Sequence, residues 1–171
     1  EKKFDVKIRN QDIPLNHLWA LDLATGSEKR LTSGDAFSVE GVSLSNDGKW
    51  AGLRALPNDR YARTTMEGGN HGDLYLLDLD SGALERLTEN RGISESNLSF
   101  APDGKTIAFS ASDDFVYFRA NKVYVRDLAA TKGAWKKLGA SYDGDVTIGW
   151  WSDDAKTIYF NDDVKATNQV M

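Results

Sequence analysis

Apolar and polar residues alternate over short segments along the whole chain, and sequences typical of tight turns separate these segments. Residues 50–55, 106–111 and 157–161 are rich in apolar, β-branched or aromatic side chains, which suit a pleated strand. No ten-residue window has a helical stripe with capping residues at its ends. The pattern therefore predicts an all-β chain of short antiparallel strands.

Two short motifs repeat along the chain at a spacing of about 50 to 56 residues. The first reads Asp-Leu-x-(Thr/Ser)-Gly and then Arg-Leu-Thr, and its copies begin at Leu18, Leu74 and, with a longer turn, Val123. The second reads Ser-x-Asp-Gly-Lys or a close variant, and it occupies residues 45–49, 101–105 and 152–156. Both supply turn residues, and together they give four strands per repeat. Such a repeat predicts a β-propeller built from four-stranded antiparallel blades.

The repeat divides the chain into parts of successive blades. They are the outer part of one blade at about 1–32, full blades at about 39–88 and 96–139, and an inner half-blade at about 146–161. A β-sandwich is the alternative architecture, but it does not require such close internal similarity. We therefore expect an incomplete β-propeller over residues 1–171.

Two full and two partial blades are too few to close a ring, because propellers typically contain 4–8 blades. The terminal sheets would then expose apolar faces and bare strand edges. Either the chain is part of a longer protein, which we favour, or two copies associate head to tail through the open blade edges.

Composition and charge exclude several classes of site. Hydrophobic residues make up 40% and charged residues 27% of the chain, as in an ordinary globular domain. A net charge of −5 argues against a nucleic-acid partner, since an acidic surface repels phosphates. The absence of cysteine excludes disulfides and thiolate zinc sites. No apolar run reaches the roughly 18 residues of a membrane span, and no signal-peptide pattern is present.

The paired motifs resemble the blade repeats of two groups of propellers. One group is the prolyl oligopeptidase family of serine peptidases, especially its dipeptidyl-peptidase and acylaminoacyl-peptidase branches, and the other is the periplasmic Tol-system propellers. The resemblance covers nearly the whole chain. A long polar loop at residues 57–72 favours the peptidases, because their propellers resemble this chain in having an extended, arginine-containing loop there. Residues 113–121 form a second such loop.

The resemblance implies a non-catalytic role for this chain within a serine exopeptidase. In that family the propeller caps an α/β-hydrolase domain of the same polypeptide, limits access to peptide substrates and helps to position them. The implied substrate-binding residues are Arg60, Arg63 and Glu67, because a guanidinium suits a carbonyl or carboxylate. The alternative for these three residues is a solvated surface loop.

Other features of the sequence leave the function of the chain open. No Gly-x-Ser-x-Gly elbow is present, so the chain carries no catalytic serine of this type. It also lacks the Glu-Glu pair with which related dipeptidyl peptidases grip the substrate amino end, which puts that specificity in doubt. A Tol-like propeller that binds protein partners is the main alternative, and a stand-alone propeller lyase or glycosidase is a third.

The remaining candidate residues predict neither a metal site nor a cofactor. His17 and His71 lack the spacing of metal ligands, and the acidic cluster at residues 143–145 does not fit a calcium loop. We interpret the tryptophans, five in number, mostly as packing residues between blades. The resemblance favours a periplasmic or secreted location, although the chain displays no export signal.

Overall fold

The computed structural model describes residues 15–58, 71–130, 135–164 and 167–170. Within these ranges the chain forms four antiparallel sheets and a short 3-10 helix, Asp113–Phe115. The first sheet contains β1 (Trp19–Leu21) and β2 (Glu28–Arg30). The second contains β3 (Phe37–Leu44), β4 (Trp50–Pro57), β5 (Asp73–Asp78) and β6 (Leu84–Arg86). The third contains β7 (Ser99–Phe100), β8 (Thr106–Ser112), β9 (Asn121–Asp127) and β10 (Lys136–Leu138), and the fourth β11 (Thr147–Trp151), β12 (Ile158–Val164) and β13 (Thr167–Val170).

Every sheet is a meander in which consecutive strands are hydrogen-bonded neighbours. The second and third sheets each contain four antiparallel strands, and their turns fall where the repeated motifs lie. The prediction of an all-β fold built from four-stranded antiparallel blades is therefore confirmed. Within the described residues, no helix has the length and apolar character needed to cross a bilayer.

The core lies between successive sheets, because the central strands bury both of their faces. Successive side chains of a strand point to opposite faces. In β5, Leu74 packs towards the third sheet with Phe109, whereas Tyr75 and Leu77 pack towards the first sheet with Leu31. Sheets stacked face to face in chain order give the blade arrangement of a propeller.

Close backbone approach and side-chain hydrogen bonds join neighbouring blades. A Cβ atom on Gly52 would lie 2.7 Å from the Cβ atom of Leu98, so only glycine fits on β4 at this point. The Ser43 hydroxyl donates a hydrogen bond to the Leu98 carbonyl at 2.5 Å. Between the third and fourth sheets, the Trp151 indole Nε1 donates to the Ser99 hydroxyl at 2.9 Å.

The terminal sheets expose apolar side chains, and the interpretation of the tryptophans as packing residues is wrong for Trp19. One residue of the Trp150–Trp151 pair is expected to point away from the packing, because adjacent strand residues face opposite sides. Trp19 on β1 is 54% exposed, and Trp150 on β11 is 46% exposed and stacks on Tyr159. Both lie on sheets that have only one neighbouring sheet among the described residues. Trp151 points to the opposite face from Trp150 and packs against the third sheet, as adjacent strand residues must.

Candidate functional site

The two ends of the blades differ in the length and chemistry of their connections. In each four-stranded sheet the first and third connections are short turns at one end, which we call the turn end. The second connection and the link to the next sheet lie at the opposite end, which we call the loop end. Residues 58–72, 87–98, 113–120 and 139–146 are the connections at the loop end. Binding residues tend to lie on such loops, which a rigid scaffold positions.

Aspartates at the turn end serve the turns themselves. The Asp47 carboxylate accepts hydrogen bonds from the Ser45 hydroxyl and the Lys49 backbone N–H, and these bonds lower its pKa. Asp154 has the same arrangement, and the Thr25 and Ser81 backbone N–H groups likewise lower the pKa values of Asp22 and Asp78. These carboxylates cap turns, so they offer no chemistry for a substrate.

A cluster of charged side chains lies at the loop end of the second sheet. The buried carboxylate of Asp73, at the start of β5, accepts a hydrogen bond from Arg86 Nε at 2.9 Å. Arg54 on β4 forms an ion pair with Glu40 on β3, and its Nε donates to the Glu95 carbonyl at 3.1 Å. The cluster thus contains residues from all four strands of one blade and from the connection that leads to the next blade.

Glu95 is an acid of this cluster whose pKa is strongly raised. Its side chain is 1% exposed, and Oε1 accepts a hydrogen bond from the Asn90 amide at 2.6 Å. Oε2 has no hydrogen-bond partner among the described residues. Burial and, to a smaller extent, the nearby Asp73 charge together raise the pKa of Glu95 to about 7, against the lowering effect of the Asn90 hydrogen bond. A carboxyl group with such a pKa can hold or release a proton near neutrality.

The β8–β9 loop at the loop end of the third sheet is held rigidly against its blade. Phe115 stacks on Tyr124 with ring centroids 4.6 Å apart, and the Tyr124 hydroxyl accepts from the Asp114 backbone N–H at 2.9 Å. Lys137 on β10 contacts both Asp113 and Asp114 at 2.7 Å. These two hydrogen bonds raise the pKa of Lys137 and keep it charged. The loop is therefore fixed by both aromatic and ionic contacts.

The residues predicted to bind substrate lie outside the described residues. Arg60, Arg63 and Glu67 fall within residues 59–70, so the prediction for them stays a prediction. His71 follows that segment at the loop end, whereas His17 lies near the Thr32 hydroxyl, at 3.3 Å from its Nδ1. Among the residues that the structure describes, no group of three His, Cys, Asp or Glu side chains is placed to hold a metal ion.

Sequence reasoning missed the loop-end cluster, although the repeat contains a signal for it. The residue before the first motif is His17, Asp73 or Lys122 in successive copies. The charge at this position therefore changes from copy to copy, whereas the motif that follows it is retained. Asp73 is fully buried and Lys122 is nearly so. A variable polar residue directly before a regular apolar strand could have marked this end as chemically distinct.

Comparison with known proteins adds one curated relative, while no protein-family model matches the chain. The relative is dipeptidyl-peptidase 5 of Porphyromonas gingivalis, which is 29% identical over 128 residues. The match covers 71% of this chain but 17% of that protein, so the chain spans about a sixth of its relative.

Solved structures with similar folds include proteins of different described functions. The TolB protein of Acinetobacter baumannii superposes with a TM-score of 0.61 at 24% identity, covering 90% of this chain and 34% of that one. An oligogalacturonate lyase of Vibrio parahaemolyticus gives a TM-score of 0.66 at 17% identity over 91% and 44% of the two chains. A prolyl endopeptidase gives 0.56 at 16% identity over 81% and 21%.

These solved structures show the fold, and the curated relative shows which protein a segment of this size is similar to. The chain is a partial β-propeller that is similar to part of a dipeptidyl peptidase. The predicted fold and the predicted resemblance are both confirmed. The lyase, which has the highest of these TM-scores, is too distant in sequence to indicate that activity for this chain.

Proposed function

We propose that this propeller segment gates and positions peptide substrates for a serine exopeptidase of the dipeptidyl or acylaminoacyl type. The hydrolase domain with its Ser-His-Asp triad would belong to the same longer polypeptide. The observation that carries the proposal is the 29% identity to a dipeptidyl peptidase over most of this chain. The chain supplies walls and polar contacts, whereas the triad supplies acyl transfer.

The loop end is the side of the propeller that faces the substrate in this proposal. Its connections are long and carry the buried ionic cluster around Asp73 and Glu95, whereas the turn end consists of short, self-capped turns. In this arrangement Arg60 and Arg63 hold substrate carbonyl or carboxylate oxygens, and Glu67 takes the amino end. A guanidinium forms paired hydrogen bonds with such groups.

The first test is whether the full-length polypeptide is a serine peptidase that is selective for short chains. We expect hydrolysis of chromogenic dipeptidyl or acylaminoacyl substrates, inactivation by a serine-directed phosphonate, and no cleavage of a folded protein. Absence of all peptide hydrolysis would contradict the proposal and favour a propeller that binds protein partners.

The second test concerns the positioning residues. Arg60→Ala and Arg63→Ala should each lower kcat/KM on short peptides by about tenfold, because a hydrogen bond to a charged group is worth roughly 1.5–3 kcal/mol. Lys105→Ala is the matched control, since it removes one exposed positive charge from the turn end. Unchanged kcat/KM in both arginine variants would reject the positioning role.

A further inference from the structure

A cleft at the loop end of the third sheet lies between the β8–β9 loop and the connection from β10 to β11. Its volume is about 370 Å³, and it is lined by residues 113, 119, 120, 122 and 140–144. That volume falls within the roughly 300–1,000 Å³ of small-ligand sites. The walls carry the charged groups of Asp113, Arg119 and Asp143 together with main-chain polar groups.

Hydrogen bonds within the protein preorganise the floor of the cleft. Lys122 is 4% exposed, and its Nζ donates hydrogen bonds to the carbonyls of Tyr142 at 2.7 Å and Gly144 at 2.8 Å. The Asp145 carboxylate accepts the Asn121 backbone N–H at 2.6 Å. These hydrogen bonds fix one wall of the cleft to the start of β9. Binding a ligand would therefore not carry the entropy cost of ordering this segment.

The β8–β9 loop, which contributes Arg119 to the lining of the cleft, also presents two aromatic rings to solvent just before Arg119 in the sequence. Phe118 is 91% exposed and Tyr117 is 53% exposed, with ring centroids 4.1 Å apart. Arg119 follows them, contacts Asp114 at 3.2 Å and keeps about half of its side chain exposed. Apolar side chains of this size are seldom displayed on an anchored loop unless something covers them.

The backbone of this loop is held in an unfavourable conformation. Asp114, Phe115 and Phe118 have φ angles of 51°, 56° and 65°, in the left-handed region that side chains other than glycine rarely occupy. Such residues persist where surrounding contacts enforce them, and they gather at binding sites. Here Lys137 and Tyr124 hold Asp114, the first of these residues, in place.

We propose that this cleft binds the carboxyl-terminal part of a short peptide that ends in an apolar residue. Arg119 pairs with the terminal carboxylate, and the last side chain packs on Tyr117 and Phe118. A guanidinium prefers the planar geometry of a carboxylate, and adjacent aromatic rings remove an apolar side chain from water. The proposal rests on the proposed peptidase function, to which it adds a substrate class, namely short peptides with a free, apolar carboxyl end.

The test measures peptide binding and hydrolysis separately in the full-length protein. Tripeptides ending in leucine, in serine or in leucine amide are compared by calorimetric titration with a catalytically inactive form and by kcat/KM with the active form. Wild-type protein should prefer the free leucine end to its amide by about tenfold, as the loss of one charge-assisted contact implies. It should prefer leucine to serine by several-fold, since apolar burial differs.

The variants assign these preferences to the cleft. Arg119→Ala should abolish the preference for the free carboxylate, and Phe118→Ser should reduce the preference for leucine. Leu23→Ser is the matched control, because Leu23 is 94% exposed at the turn end. Arg119→Lys keeps the charge and should restore only part of the preference, because lysine lacks the guanidinium fork.

The outcomes separate this inference from the proposed function. Peptide hydrolysis with equal preferences in wild type and in both cleft variants would overturn the inference and leave the peptidase function standing. Absence of hydrolysis in the wild type would contradict the peptidase function, and the calorimetric comparison would still decide whether the cleft binds apolar peptide ends. All of the substituted side chains are at least half exposed, so loss of folding does not obscure the result.

Discussion

The buried carboxyl group of Glu95 should make the stability of this propeller fall as the pH rises through neutrality. Its ordinary pKa is 4.5, and burial together with the nearby Asp73 charge raises the pKa to about 7 in the folded chain. A folded-state pKa above the unfolded one means that the folded state binds the proton more tightly. The stabilisation is therefore complete below about pH 4.5 and is lost as the pH rises through about 7.

The size of the effect follows from the shift. Each pKa unit is worth about 1.36 kcal/mol, so a rise from 4.5 to about 7 corresponds to about 3 kcal/mol once Glu95 is ionised in both states. Most of this should develop between pH 5 and pH 8. That is a large part of the 5–15 kcal/mol of stability that is usual for a protein domain.

Glu95→Gln tests the reasoning, because glutamine is nearly isosteric and does not titrate. Its side-chain carbonyl can still accept the hydrogen bond from Asn90 that Oε1 receives in the native chain. We expect urea denaturation from pH 5 to pH 8 to show a much flatter loss of unfolding free energy in this variant than in the wild type. The absolute stability at one pH is not the readout, because the amide nitrogen would replace an oxygen that has no partner among the described residues.

Glu89→Gln is the matched control, since Glu89 lies on the same connection between sheets but is exposed. It should leave the pH dependence as in the wild type. Parallel stability curves for the wild type and Glu95→Gln would refute the reasoning, because the buried carboxyl group would then carry no excess proton affinity in the folded state.

Two further predictions concern the contacts between blades. Gly52→Ala should destabilise the fold by about 1–3 kcal/mol in chemical denaturation, because the added Cβ would lie 2.7 Å from that of Leu98, and an unchanged unfolding free energy would contradict this. Trp151→Phe should cost about 1 kcal/mol or more through the lost hydrogen bond to Ser99 and the smaller ring, and an unchanged denaturation midpoint would contradict this.

The fold could be predicted because each repeat carries its own local turn chemistry. Asp47 accepts the Lys49 backbone N–H in one turn, and Asp154 accepts the Lys156 N–H in the equivalent turn two blades later. Such bonds join residues close in sequence, so the motif alone specifies them. The final strand, β13, follows no such motif and was not predicted. The bulge between Ile148 and Trp150 likewise has no local turn signature.

The ionic cluster could not be predicted because its members meet only after the blade has formed. Arg54 reaches the Glu95 carbonyl across 41 positions of sequence, and Arg86 reaches Asp73 across 13. The residues next to Glu95 are Ser94 and Ser96, and such polar neighbours are equally common in an exposed loop. Its burial follows from the packing of two sheets around the connection between them, and a pattern read along one segment does not contain that information.

The contrast between retained and changed positions of the repeat indicates where function lies in this fold. The hydroxyls of Thr32 and Thr88 each accept a hydrogen bond from the backbone N–H of the residue that begins the first motif, Leu18 or Leu74, so the first two copies share this contact. The residue just before that N–H is histidine, aspartate or lysine in successive copies. Packing requires the threonine to be retained, whereas it tolerates different side chains at the position just before the motif. The proposed function therefore puts substrate contacts near the positions of the loop end that differ from blade to blade, and the cleft beside Lys122 lies there.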